Sequence, residues 1–203
     1  MKRGMIFLSR TNPGLHTQRE LIMPRIAIPA LDAAPEASKP TLDAVHKQLG
    51  VVPNLFRLIG SSPAALTAFA GFQGALSKTF DVKTRERIAL AVAQVNGCDY
   101  CLSAHTYLGL NLAKISAEEI ALNRKGASGD AKANAAVQFA AKVAKERGHV
   151  SDADIAAVRD AGFTDAQLVE IIALVAENSF TNYLNEVAKT EIDFPVVRAA
   201  EAA

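Results

Sequence analysis

Tryptophan is absent from this 203-residue chain, and cysteine occurs only at Cys98 and Cys101. Neither charge sign dominates, with 22 Lys and Arg against 21 Asp and Glu and a formal net charge of +1. Basic clusters interleaved with aromatics are also missing, so nothing favours nucleic acid or an acidic membrane surface as a partner. No apolar run approaches the roughly 18 residues of a membrane span. The first 23 residues carry one short apolar patch, Met5–Leu8, ahead of Ser9, Arg10 and Pro13. That is too short for the apolar centre of about 7–15 residues that a signal peptide needs. Residues 1–23 read as a disordered N-terminal arm and 24–203 as one domain. Without an export signal the expected compartment is the cytoplasm, where thiols stay reduced and two cysteines three residues apart are not a permanent staple. Glycine-rich phosphate loops are lacking too. No site for NAD(P)H or ATP is expected, nor any other bound cofactor, and electrons would have to arrive through a thiol partner.

What is present is helix-forming sequence. Half of the chain is apolar and alanine dominates that half, which suits close-packed helices better than sheet. Pro24, Pro29, Pro35 and Pro40 mark an extended lead-in, and Thr41–Leu49 a short helix stopped at Gly50. Ser61, Ser62 and Pro63 open a helix that continues over Ala64–Lys78. Another covers Lys83–Asn96, ended by Gly97 at a natural C′ position, and the next runs from about Cys98 to Leu112. Ser116-Ala117-Glu118-Glu119 carries a capping-box pattern for a short helix to about Asn123. Ala131–Arg147, Ser151–Ala161 and Thr164–Thr190 supply three more, with Ser151 and Thr164 as N-caps. The fold class is all-α.

The chemistry concentrates around Gly97. At about 100° per residue, Cys98, Cys101 and His105 share a stripe roughly 60° wide on one helix. Glu86 lies twelve residues before Cys98 on the preceding helix, and a hairpin would bring it to the stripe from the side. A cysteine in a helix's first turn meets free N–H groups and the positive dipole end, which favour thiolate. His105 can take the Cys101 proton, Glu86 can orient His105, and the second thiol can resolve a sulfenic acid as a disulfide. Two other readings compete. Cys98, Cys101 and His105 offer three zinc ligands, although His16, His46 and His149 are scattered and no second cluster exists. Alternatively, these are two core cysteines and a satisfied histidine. A c-type haem is excluded because Leu102, not histidine, follows Cys101. A thioredoxin-like fold lacks its βαβ pattern.

Glu86-x₁₁-Cys98-Asp99-Tyr100-Cys101-x₃-His105, with Gln94-Val95-Asn96-Gly97 and Ala104-His105-Thr106 beside it, resembles the AhpD-like alkylhydroperoxidase branch of the carboxymuconolactone decarboxylase superfamily. The likeness extends over about residues 24–195, with its motif in 83–107. It implies an AhpD-like helical bundle that assembles as a homo-oligomer, trimer or hexamer. It also implies a peroxidase acting on hydrogen peroxide or alkyl hydroperoxides, reduced by a dihydrolipoyl or thioredoxin-like protein. By position, Cys101 would be the peroxidatic thiol, Cys98 the resolving thiol, and Glu86 and His105 the proton relay, with no metal and no bound cofactor. Where the family's pattern has a second histidine just before the second cysteine, this chain has Tyr100, expected to be a packing or pocket residue. Decarboxylases of the superfamily generally lack the cysteine pair. Beside the peroxidase reading stand a redox-sensing or scaffolding oligomer and a decarboxylase-like enzyme.

The same spacing recurs downstream as Glu170, Asn182, Asn185 and Lys189, with five identities in 23 positions. It is either a duplicated helical hairpin whose second copy lost its chemistry or a coincidence of spacing. Asn182 and Asn185 are then expected to be structural hydrogen-bonders, with Asn178 and Asn182 lining a pocket or a subunit contact. Phe69, Phe72 and Phe80 are candidates for pocket wall or core. His46 is expected at the surface, and Arg85 and Arg87 in surface ion pairs.

Overall fold

The computed structural model describes residues 24–201, so the expected arm at 1–23 lies outside the described residues. Within them the chain forms nine α-helices and no strand. They are α1 (Lys39–Leu49), α2 (Asn54–Ile59), α3 (Pro63–Leu76), α4 (Val82–Asn96), α5 (Asp99–Asn111), α6 (Ala117–Arg124), α7 (Ala131–Lys145), α8 (Asp152–Asp160) and α9 (Asp165–Ala188). The helix α2, between Pro53 and Gly60, was not foreseen, because six residues are too few to display a helical period. No helix among the described residues is long and apolar enough to cross a membrane.

Side-chain caps start most of the elements. Ser62, Asp81, Ser116, Asp130, Ser151 and Thr164 each accept the N–H three residues on, satisfying one of the free donors of a first turn. The boxes at Ser151/Asp154 and Thr164/Gln167 are reciprocal. The expected box at Ser116 forms only by half. The Glu119 carboxylate turns instead to Ser128 Oγ, the Gly129 N–H and Asn123 Nδ2, fastening the loop before α7.

The helix α4 is the hub, packed against α5, α6, α7 and α9. One face carries Ile88 and Val92 into a core with Ala136, Phe139 and Ala140 of α7 and Ile171, Leu174 and Val175 of α9. The other carries Leu90 and Ala93 into a second core with Cys98, Tyr100, Cys101 and Leu102. Apolar burial on both faces, at about 25 cal/mol per Å², anchors α4 between the two cores. The segment 190–201 closes the second core by packing Ile192, Phe194, Val197 and Ala199 against it. A third cluster, Leu42, Val52, Ile59, Leu66 and Phe69, joins α1–α3 and packs against Leu184 of α9.

Candidate active site

The turn between α4 and α5 sets the site. Gly97 adopts φ 68°, a left-handed conformation that costs any residue with a Cβ about 1–2 kcal/mol. Its N–H donates to the Gln94 carbonyl at 3.2 Å and the Cys98 N–H to the Ala93 carbonyl at 3.0 Å, the paired bonds of a Schellman ending. Cys98 then serves as N-cap of α5, its Sγ accepting the Cys101 N–H at 3.2 Å. One residue therefore ends α4 with its backbone and begins α5 with its thiol.

Both thiols are free, and Cys98 and Cys101 are 0% and 2% exposed. Cys101 Sγ accepts Asn185 Nδ2 of α9 at 3.3 Å. Burial opposes ionisation of Cys101, but the hydrogen bond from the Cys98 thiol, the positive charge of His105 and the hydrogen bond from Asn185 outweigh it, lowering its pKa from 9.0 to about 7. The Cys98 thiol is pushed far up, first because it donates its hydrogen bond to Cys101 and second because it is buried. The two thiols are thus electrostatically unequal, Cys101 being the more readily ionised and Cys98 the one that keeps its proton.

His105 Nδ1 meets Glu86 Oε2 at 2.8 Å, with side chains 22% and 12% exposed. Burial works against protonation of His105, yet the Glu86 carboxylate prevails and raises its pKa. Fixing Nδ1 on Glu86 leaves Nε2 for a proton or a substrate. All four residues expected from the motif meet here, Glu86 arriving from α4 as a hairpin requires. Among the described residues no group of three or more His, Cys, Asp or Glu is placed to hold a metal ion.

Two adjoining cavities, of about 570 and 410 Å³, reach this cluster. His105, Gln73, Glu177 and Asn178 line both. The larger is walled mainly by apolar groups, among them Phe56, Phe69, Tyr107 and Phe194. Phe69 is therefore pocket wall, but Phe72 is 41% exposed and Phe80 stacks edge-on against Phe163 in the first core. Tyr100 is 3% exposed; its hydroxyl donates to Asp193 at 2.8 Å and accepts the Leu55 N–H at 3.1 Å. It pins segment 190–201 and α2 beside the site, as a packing and pocket residue should. His46 is exposed as expected. Arg85 donates to the Ser77 and Phe80 carbonyls instead of pairing at the surface. Arg87 pairs with Glu119 at 3.0 Å in a largely buried contact.

The downstream spacing does not make a second hairpin. Glu170, Asn182 and Asn185 lie on the single unbroken α9, with Lys189 as its left-handed cap. Thr181 stands where Gly97 breaks the first frame, and nothing interrupts the helix. Asn182 and Asn185 are buried hydrogen-bonders, as anticipated, but Asn182 Oδ1 accepts Asn96 Nδ2 of α4 and only Asn185 serves the thiol of the first frame. Glu177, which also faces His105, was missed. Its position gives no sign of itself until α9 is packed against α5.

The site is therefore a buried helix-start dithiol with a carboxylate–histidine pair beside it. Residues 63–146 match the carboxymuconolactone decarboxylase family. A peroxidase-related protein from Ralstonia eutropha with an alkylhydroperoxidase AhpD core is 29% identical, with a TM-score of 0.73 over 84% of this chain and 92% of that one. A peroxidase-related protein from Silicibacter sp. is 24% identical, with a TM-score of 0.72 over 88% of this chain and 95% of that one. The debrominase Bmp8, at 20% identity and a TM-score of 0.69 over 86% and 92%, shares the fold. No curated protein matches the chain. The matched segment holds Glu86, Cys98, Cys101 and His105, and together with the AhpD-core neighbour it supports assignment to the AhpD/carboxymuconolactone decarboxylase superfamily.

Proposed function

We propose that the protein is a thiol-dependent peroxidase that reduces hydrogen peroxide or an alkyl hydroperoxide through a cycling Cys98–Cys101 dithiol. The observation that carries this reading is the unequal pair: Cys101 is held toward thiolate while Cys98 keeps its proton. His105, oriented by Glu86, takes the Cys101 proton. The thiolate attacks one peroxide oxygen, the O–O bond breaks, and Cys101 becomes a sulfenic acid while an alcohol or water leaves. The Cys98 thiol then displaces water from the sulfenic acid and closes the disulfide. A dihydrolipoyl or thioredoxin-like protein returns two electrons by thiol–disulfide exchange. The reducing cytoplasm suits such a cycle. The exposed apolar row Val169, Ile172, Phe180, Tyr183 and Val187 along α9 supports assembly with further copies as a trimer or hexamer.

The test is titration of the reduced protein with an alkyl hydroperoxide, followed by addition of dihydrolipoamide or thioredoxin systems. One equivalent is expected to consume both thiols and form one disulfide, and the reductants to sustain turnover. Disulfide formation without turnover would turn the reading toward a redox sensor. Unchanged turnover in Cys101→Ser would overturn it.

A further inference from the structure

His105 faces two carboxylates from two different helices, and only one has a part in the cycle above. Glu86 comes from α4 and holds Nδ1. Glu177 comes from α9, is half-buried, and lines both cavities together with His105. Thr181, one turn further along α9, lines the larger cavity as well, and Asn185, another turn on, reaches Cys101 Sγ. This face of α9 thus leads from the open cavity down to the thiol. Neither cysteine lines either cavity, so a peroxide arriving there meets His105 and Glu177 on its way to Cys101.

We propose that Glu177 is the acid of the peroxide-cleaving step, delivering a proton to the oxygen that leaves as Cys101 takes the other. This assignment rests on the peroxidase reading. Breaking R–O–O–H at a thiolate forms an S–O bond and releases an alkoxide, a strong base that needs a proton in the transition state. The Cys101 proton has by then moved to His105, whose imidazolium charge Glu86 stabilises from Nδ1. With Glu177 in its acid form the step is Cys101 thiolate plus hydroperoxide plus carboxylic acid, giving sulfenic acid, alcohol and carboxylate. Transfer of the proton from His105 to the Glu177 carboxylate then restores both groups, and the balance closes with no further reactant. Burial raises the Glu177 pKa from the ordinary glutamate value, against the opposing pull of His105, the Gln73 amide and Arg85, and with help from Glu86. These groups face it from α5, α3 and α4, so the acid form persists where an exposed glutamate would have lost it.

The experiment compares two reactions of Cys101 in the reduced full chain, resolved by fragmentation mass spectrometry. Oxidation by tert-butyl hydroperoxide expels a basic alkoxide, whereas alkylation by iodoacetamide expels iodide and needs no acid. Glu177→Gln is expected to slow the oxidation about 10²-fold, the scale of general acid catalysis, and to leave alkylation within about twofold. Peracetic acid, which expels the weak base acetate, should lose far less than the alkyl hydroperoxide. In the wild-type protein the ratio of oxidation to alkylation rates should fall as pH rises through the Glu177 titration, a readout that needs no variant. Equal slowing of both reactions, or of neither, would overturn the assignment, as would a ratio flat with pH. A wild-type protein that alkylates but ignores every peroxide would instead overturn the peroxidase reading itself, and this assignment with it.

Discussion

The same spacing of side chains occurs twice in this chain, and only one occurrence gathers its side chains into a cluster. In α4–α5 the spacing is interrupted by Gly97, whose left-handed backbone ends one helix and lets Cys98 cap the next. In α9 the corresponding positions run through an unbroken helix, where Asn182 is an interior residue and caps nothing. A fixed interval therefore carries no chemistry by itself. What matters is the break, which frees N–H groups to act on sulfur and folds Glu86 back over His105. The unbroken copy still contributes, because Asn185 presents its amide to the Cys101 thiol.

This contrast can be broken most sharply at the thiols. Cys101→Ser is expected to abolish peroxide-dependent turnover, while Cys98→Ser should stop at one sulfenic acid without an intramolecular disulfide, as mass spectrometry would show. Next come the two glutamates at matching positions. Glu86→Gln removes the carboxylate that orients His105 and should slow hydroperoxide oxidation about 10²-fold, whereas Glu170→Gln should leave the rate unchanged in the same stopped-flow measurement. Asn185→Ala deletes a hydrogen bond to a charged sulfur, a loss of about 1.5 kcal/mol. The midpoint of the alkylation profile should then rise by about one pH unit. In the unaltered protein that midpoint should lie near 7, because the lowered Cys101 pKa leaves the thiol protonated below it and ionised above. Gly97→Ala finds no atom within 4 Å to clash with, so its cost should be the backbone strain alone, about 1–2 kcal/mol in urea unfolding.

Much of the fold was legible because helix ends are written locally. Ser62-Pro63, Gly97, Ser151 and Thr164 mark boundaries through the hydrogen bonds they make within a few residues. The helix α2 was not legible, being too short to show a period. Glu119 misled for a related reason: its neighbours along the chain fit a capping box, but the loop at Ser128 and Gly129 offers the carboxylate better donors. At the site, Glu86, Cys98, Cys101 and His105 fall within 20 residues, so helix geometry brings them together. Asn182 and Asn185 showed up only as an echo, and Glu177 not at all, since their meeting with α5 depends on packing across some 70 to 85 positions of sequence. Nor does an apolar helical period separate Phe69 from Phe72 and Phe80, whose environments depend on which helix lies opposite.

The segment 190–201 is tied to α5 at many points. Asp99 receives the Ala199 N–H and pairs with Arg198, Ser103 Oγ receives the Val197 N–H, and Tyr100 donates to Asp193. Each tie lies within a helical turn of a cysteine, and no single one carries the attachment. Such a fastening yields gradually, peeling from one end as ties are lost in succession. Amide hydrogen exchange at Val197 and Ala199 is expected to report how far this segment frays, and with it how open the core around the dithiol becomes to another macromolecule.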